Sequence, residues 1–465
     1  MKKLAYISII VFLSSCTKIL NQTPQDKITE VNFYKSATDA ESAATGMYVS
    51  ALSIAQQFPL AFDAGSDLAT GLLINYSPFS QHGIAVDNAI VAAYWQNNYT
   101  GIGRCNDVLK NVSAMGDNLF ATGEKQRILG EAHFLRGYYY FNLLKAYGGV
   151  PLVTVPYSSF SENFTIARSP VSDVFNQIIA DLKIAETNLP QSWASNIDTR
   201  GRGTQGGAQA LLAKVYLSNN DNANAAAEAL NVMNNTTYIL VSGATGYTNM
   251  FSPSIKNSTE SIFEIQYLTT ATTGNGLASF YLPAGVPAGI QPGSYQIAPT
   301  TKIINAFEPG DIRKGVSIAF NNAVPPIPYV NKYLRLTVGT EANIIALRLA
   351  DIILVRAEAL NNQGQTAGAI DALNIIRRRA FGLSLTATSV RDYPSANDVA
   401  NGYTLTLAIE NERMKELCFE GHRFYDLVRT GRAATVLNIT TNKTLWPIPL
   451  REIGVNPLLT QNPGY

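Results

Sequence analysis

The strongest constraint on this chain is a succession of stretches in which apolar residues recur at steps of three and four. The clearest runs from Glu124 to Tyr147, with Leu129, Ala132, Leu135, Tyr139, Leu143 and Ala146 in register. It stops at Gly148-Gly149-Val150-Pro151, a glycine-then-proline ending. Ser169-Pro170 opens the next helix as N-cap and first-turn proline; Val174, Ile178, Leu182 and Ala185 line its face, and Pro190 ends it. Earlier stretches run from Ser36 towards Leu52 and from Asn88 to Val112. Later ones run from Gly206 to Leu217, Asn222 to Met233, Leu347 to Asn361 and Thr366 to Ala380, the last two joined through Gly364. Consecutive helices with short connections predict a mainly α fold of tetratricopeptide-like pairs. The 34-residue consensus of such repeats fits poorly, so an irregular α-bundle is the alternative.

Residues 238–343 break this pattern. They are rich in Gly, Pro, Thr, Ser and Tyr, and only Ser261 to Tyr267 alternates as a strand would, through Phe263, Ile265 and Tyr267. Residues 269–300 read as one long loop, and long loops inside compact domains are often functional. The expected layout is therefore a helical scaffold over 26–237 and 344–465, interrupted by a loop-rich variable insertion with short β-strands. At the C-terminus, Trp446-Pro447-Ile448-Pro449, Asn456-Pro457 and Asn462-Pro463-Gly464-Tyr465 exclude helix interior and central strand, because proline lacks an N–H and fixes φ. Their apolar content predicts an ordered strap across the helices.

The first fifteen residues read as a targeting segment: Lys2 and Lys3, then a short apolar run from Leu4 to Leu13. Leu13-Ser14-Ser15-Cys16 has the form of a lipoprotein cleavage site, making Cys16 the expected lipidation site and 16–25 a polar tether. An ordinary secretory signal is the alternative. Cys105 and Cys418 are expected to be buried free thiols, with pairing the alternative. A net charge of +1 without a basic block gives no reason to expect nucleic acid as a partner.

Several motifs point away from chemistry. Gly201-Arg-Gly-Thr-Gln-Gly206 has dinucleotide glycine spacing but no strand before it, so it reads as a loop entering a helix. His82, His133 and His422 show no metal-ligand spacing, and neither a Cys-x-x-Cys nor a nucleophile elbow occurs, so no cofactor is expected. Glu416, Glu420, His422, Arg423, Asp426 and Arg429 look catalytic, but their helical spacings favour a buried ion-pair network holding a helix.

Five groups of residues carry a family resemblance. They are Leu135-Arg136 through Leu152, Gly201-Arg202 through Tyr216, Leu349 through Ala359, Glu412-Arg413 through Leu427, and the proline-rich tail together with Cys16. The chain resembles the SusD/RagB family of nutrient-binding outer-membrane lipoproteins. The resemblance implies a SusD-like fold and a non-catalytic, surface-exposed protein. It also implies capture of oligosaccharide and delivery to a SusC-like TonB-dependent transporter. Peptide or another nutrient is the alternative ligand, and glycoside hydrolysis a remote one. The matched motifs are scaffold, and ligand residues in such proteins sit in variable loops. Aromatic residues in the Gly/Pro-rich loops are therefore the expected ligand contacts: Tyr76, Phe79, Tyr281 and Tyr295. An aromatic plane suits the apolar face of a sugar ring. Trp95 is expected in the core, and Trp193 could serve either role.

Overall fold

The computed structural model describes residues 33–157, 165–267, 275–336 and 342–465. The expected signal peptide, Cys16 and its tether lie outside these residues. The scaffold helices are α1 (Ala37–Ala64), α2 (Ala89–Ala114), α3 (Glu124–Tyr147), α4 (Val171–Asn188), α5 (Gln205–Ser218), α6 (Asn222–Asn234), α7 (Leu349–Asn362), α8 (Thr366–Ala380), α9 (Leu405–Glu416) and α10 (Arg423–Arg429). Each of α1 to α8 packs on the next. The contact of α6 with α7 spans the insertion, so the helical stack continues as if the intervening residues were absent. The architecture is the mainly α, tetratricopeptide-like scaffold that the periodicity predicts.

Local chemistry sets the helix ends. Ser36 caps α1 reciprocally with Asp39, whose carboxylate accepts from the Ser36 N–H at 2.8 Å. Thr204 caps α5 by accepting from the Gly207 N–H at 3.0 Å. The glycine motif at 201–206 is thus a helix-to-helix connection. α1 runs past the expected stop near Leu52, through Pro59, to Ala64, because its second half is buried against the rest of the core. α3 is buried well beyond one stripe, and its buried Arg136 is neutralised by Asp181 at 2.7 and 2.9 Å. A helix enclosed on most sides must pair its charges internally.

Three two-stranded antiparallel sheets punctuate the stack: β1 (Ala69–Gly71) with β3 (Ile297–Pro299), β2 (Ser261–Ile265) with β6 (Ile344–Arg348), and β4 (Ile318–Phe320) with β5 (Pro328–Val330). The expected strand at 261–267 is β2. Its partner β6 begins before the expected helical start at Leu347, and the chain turns from strand to helix between Arg348 and Leu349.

A buried charge network joins insertion to scaffold. Glu416, with no exposed surface, accepts from Arg348 at 2.5 Å, from Arg313 at 3.0 Å and from Arg379. Glu260, ahead of β2, accepts from Arg348 and Arg379, each at 2.9 Å. Glu420 takes two further bonds from Arg348, both 2.8 Å, and one from Lys332 at 2.7 Å. The segment 412–429 is therefore an ion-pair hub, but not one helix. α9 stops at Glu416, Phe419 and Gly421 take positive φ, and α10 restarts at Arg423. At Gly421 a Cβ would lie 2.9 Å from the Pro59 Cα, so this turn lies directly on the α1 backbone.

The strap closes the stack. Trp446 is buried, stacks on Phe62 at 4.7 Å and meets Tyr94, Tyr147 and Phe79 edge-on; its backbone N–H donates to the Ala146 carbonyl at 2.7 Å. The Gln461 amide serves Ile448 as a strand partner would, accepting from its N–H at 2.7 Å and donating to its carbonyl at 2.9 Å. Asn462 donates to the Tyr147 and Trp446 carbonyls. Cys105 and Cys418 are buried free thiols.

Three outcomes follow from this packing. Trp446→Ala should lower the unfolding free energy by about 3–5 kcal/mol in denaturant titration, the usual cost of emptying a large aromatic site. Burial alone would raise the network's carboxyls. Instead Arg313 and its neighbours hold Glu412 down to about 2, and Arg348 with Lys332 holds Glu420 down to about 2. Glu416 is held well below its ordinary range by Arg379, Arg348 and Arg313. Depressed carboxyls contribute stability above their ordinary value of 4.5 and lose it as pH falls towards 2. Thermal midpoints should therefore decline steadily across that window. Glu416→Gln, which leaves buried guanidiniums short of a partner, should cost about 3–5 kcal/mol at neutral pH.

Candidate functional site

At one end of the molecule, three loop segments come together around β1, β3, β4 and β5. β1 pairs with β3, placing Ala69 opposite Pro299 and Gly71 opposite Ile297, and β3 lies against β5. Beyond β1 the Leu72 N–H donates to the Gln296 carbonyl at 2.7 Å, fixing the exposed turn Leu72-Leu73-Ile74-Asn75 beside the segment that enters β3. Gly71 is required here: a Cβ would stand 2.3 Å from the Tyr76 carbonyl carbon. Its N–H donates to the Ser80 hydroxyl at 2.7 Å.

Tyr295 links this turn to the β4–β5 hairpin. Its hydroxyl donates to the Pro328 carbonyl at 2.6 Å, and its backbone takes φ of 46°, a left-handed conformation that is uncommon for a bulky residue. The ring is half-buried. The two segments that Tyr295 links carry solvent-facing apolar side chains: Leu72, Leu73 and Ile74 (85% exposed) on one, and Phe320, Val324 (98%) and Ile327 on the other. A polar rim adjoins them. Asn75 donates to the Gln296 side chain at 3.2 Å, and Gln296 donates to the Ser294 hydroxyl at 3.3 Å. An apolar platform edged by amides and hydroxyls can pack the C–H face of a polar ring compound while pairing its hydroxyls. Large exposed apolar groups collected at one place mark a binding surface.

Three of the four aromatic residues expected as ligand contacts are not on this surface. Tyr281, at the end of the short helix Leu277–Tyr281, has no exposed surface, stacks on Tyr333 at 5.9 Å and donates its hydroxyl to Asp63 at 3.0 Å. Asp63 also accepts from the Gly421 N–H at 3.1 Å, yet burial pushes its carboxyl up to about 7 against both hydrogen bonds. Tyr76 is buried edge-on to Phe280, and Phe79 is buried edge-on to Trp446. These rings hold the loops around β1, β3, β4 and β5, the crown of the molecule, to the scaffold and present no open face to a ligand. Only Tyr295 belongs to the platform. Sequence reasoning passed over Leu72 to Asn75, Ser294, Gln296 and the tip of the 318–330 hairpin. Two signals were available: the aliphatic triplet Leu72-Leu73-Ile74 in an otherwise polar turn, and Val324 beside Pro325-Pro326.

The remaining tryptophans serve the scaffold. Trp95 is buried, and Trp193 packs against the guanidiniums of Arg127 and Arg202, 5.0 and 4.2 Å from its ring centre, with its indole N–H on the Gly203 carbonyl. Among the described residues no group of three or more His, Cys, Asp or Glu side chains is placed to hold a metal ion. No described helix is long and apolar enough to cross a membrane.

Comparison with known proteins addresses the family directly. Residues 20–217 match a SusD-like family described as "Starch-binding associating with outer membrane", and residues 328–465 match the family described as "SusD family". The chain is 26% identical over 516 residues to the SusD-like protein P2 of Formosa agariphila, covering 100% of this chain and 99% of that relative. Among solved structures it superposes on a laminarin binding SusD-like protein with a TM-score of 0.79 and 27% identity, over 93% of this chain and 100% of the other. It also superposes on surface glycan-binding protein A from Bacteroides fluxus, with a TM-score of 0.77 and 25% identity, over 92% and 99% of the two chains. With family matches on both sides of the insertion and a fold shared nearly end to end with solved relatives, this chain belongs to the SusD/RagB family.

Proposed function

We propose that this protein captures oligosaccharide at the cell surface and passes it, without chemical change, to a SusC-like TonB-dependent transporter, tethered to the outer membrane through lipid on Cys16. The observation that carries this reading is the solvent-facing platform of Leu72, Leu73, Ile74 and Tyr295, edged by Asn75, Ser294 and Gln296. The family description of starch binding at the outer membrane and a laminarin-binding relative support a glucan as the first ligand class to test. The acidic residues around Glu416 support a binding role over catalysis, because their carboxylates are consumed by buried arginines.

Calorimetric titration of the soluble protein with laminarin and starch oligosaccharides tests the ligand class. Saturable binding should weaken about tenfold in Tyr295→Ala and in Ile74→Asp, a change of about 1.4 kcal/mol, within the range expected of an aromatic contact. Tyr281→Phe should lower the thermal midpoint and leave affinity unchanged; the reverse pattern would move the site to the interior. Fractionation of cells expressing Cys16→Ser should find the protein released from the outer membrane, and retention there would refute the lipid anchor.

A further inference from the structure

A partly open pocket of about 120 Å³ enters the scaffold, bounded by α1, α3, α5, β6 and the start of α10. Its walls are mostly apolar, including Phe58, Phe141 and Ile345, but Lys145 projects into it from the last turn of α3. The Lys145 ammonium lies 5.2 Å from the centre of the Phe141 ring and, among the described residues, forms no ion pair with a carboxylate. The nearby acids are already engaged. Asp351 is shared by Lys214 and Arg413, and Asp426 by Arg413 and Arg429. A second cation, Lys214, faces the same space and lies 3.4 Å from Nδ1 of His422. Asn142 also borders the pocket; its buried amide nitrogen makes no hydrogen bond of good geometry, and the Tyr138 hydroxyl is the polar group beside it.

An ammonium and an amide donor left unsatisfied around one pocket are costly unless something accepts from them. Water can serve the amide, but it leaves the surplus positive charge in place. A small anion satisfies both. We infer that this pocket is a binding site for one small oxyanion of the carboxylate or phosphate class, held by the Lys145 ammonium with the Asn142 amide and Lys214 beside it. The volume admits several waters or one such ion. Without the ion, burial first and Lys214 next pull the Lys145 ammonium down to about 7, so an anion that restores the charged form takes up a proton as it binds near neutral pH. Burial and Lys214 likewise hold His422 neutral, down to about 3, so its ring remains available as an N–H donor or acceptor. The inference does not depend on the glycan reading, which concerns the opposite kind of surface.

The test uses the intact soluble protein. Thermal midpoints are measured in an oxyanion-free buffer with added acetate or added phosphate, against matched sodium chloride. The midpoint should rise with the logarithm of the concentration of one of them, which identifies the class. The rise should persist in Lys145→Arg and vanish in Lys145→Met. Crystals soaked in selenate should show an anomalous peak within hydrogen-bonding reach of the Lys145 Nζ. No oxyanion-specific shift, or an equal shift in Lys145→Met, would overturn the inference. If Lys145→Met does not fold, an empty pocket in the wild-type selenate map overturns it independently.

Discussion

The carboxylate of Glu416 is the point on which this structure most depends. It is fully enclosed and held by arginines from three separate parts of the chain: Arg313 in the insertion, Arg348 at the end of β6 and Arg379 in α8. Isolated, any of these four charges would be strongly disfavoured inside the protein; together they neutralise one another through short, directional bonds. Glu260 and Glu420 extend the cluster, so its members come from the edge of β2, the insertion, the last helical pair and the turn before α10. A network with this reach does more than add stability. It sets the position of the insertion relative to the helical stack, because no single segment can move without stranding a buried charge.

That positioning lets exposed loops act as a defined surface. The crown has little regular structure of its own: strands three residues long and helices of four to six residues. Its order comes from below. Tyr281 reaches the Asp63 carboxylate at the end of α1, Phe79 packs on Trp446 of the strap, and Gly71 lets the turn fold back on Tyr76. With these anchors buried, Leu72 to Asn75 and Tyr295 are held out to solvent on a rigid base. This arrangement reduces the ordering cost of binding a flexible ligand.

The division between anchor and contact explains which site residues were legible. Tyr76, Phe79, Tyr281 and Tyr295 share one signature in sequence: an aromatic residue in a Gly/Pro-rich stretch. Composition of that kind reports a loop, and loops do lie at the surface. It does not report which way a ring points. Three of these rings turn inward because the crown, whose own helices are only a turn or two long, needs large side chains to fasten it. The side chains that do face outward there are mainly aliphatic and amide residues, which in sequence look like ordinary turn filler. The segment from Glu412 to Arg429 shows the converse. Its i to i+4 spacings correctly announced ion pairs, yet the helix breaks at Phe419 and Gly421, because the α1 backbone at Pro59 leaves no room for a continuous one.

The amino-acid sequence by itself determined the helical stack, its stops and caps, the single clear strand of the insertion and the proline-bearing strap. Each depends on local chemistry: periodic apolar residues, side-chain caps, and prolines that cannot donate. It determined the family as well, since those scaffold positions carry the motifs. Tertiary structure alone decided that β6 pairs with β2 across some eighty intervening residues, which acids and arginines share a cavity, and which aromatic residues are anchors. It also placed Lys145, an unremarkable residue in the last turn of a helix, in a pocket where no carboxylate among the described residues pairs with it. Such outcomes depend on distances between segments remote in sequence, and burial, charge pairing and exposure are properties of those distances rather than of any one stretch of chain.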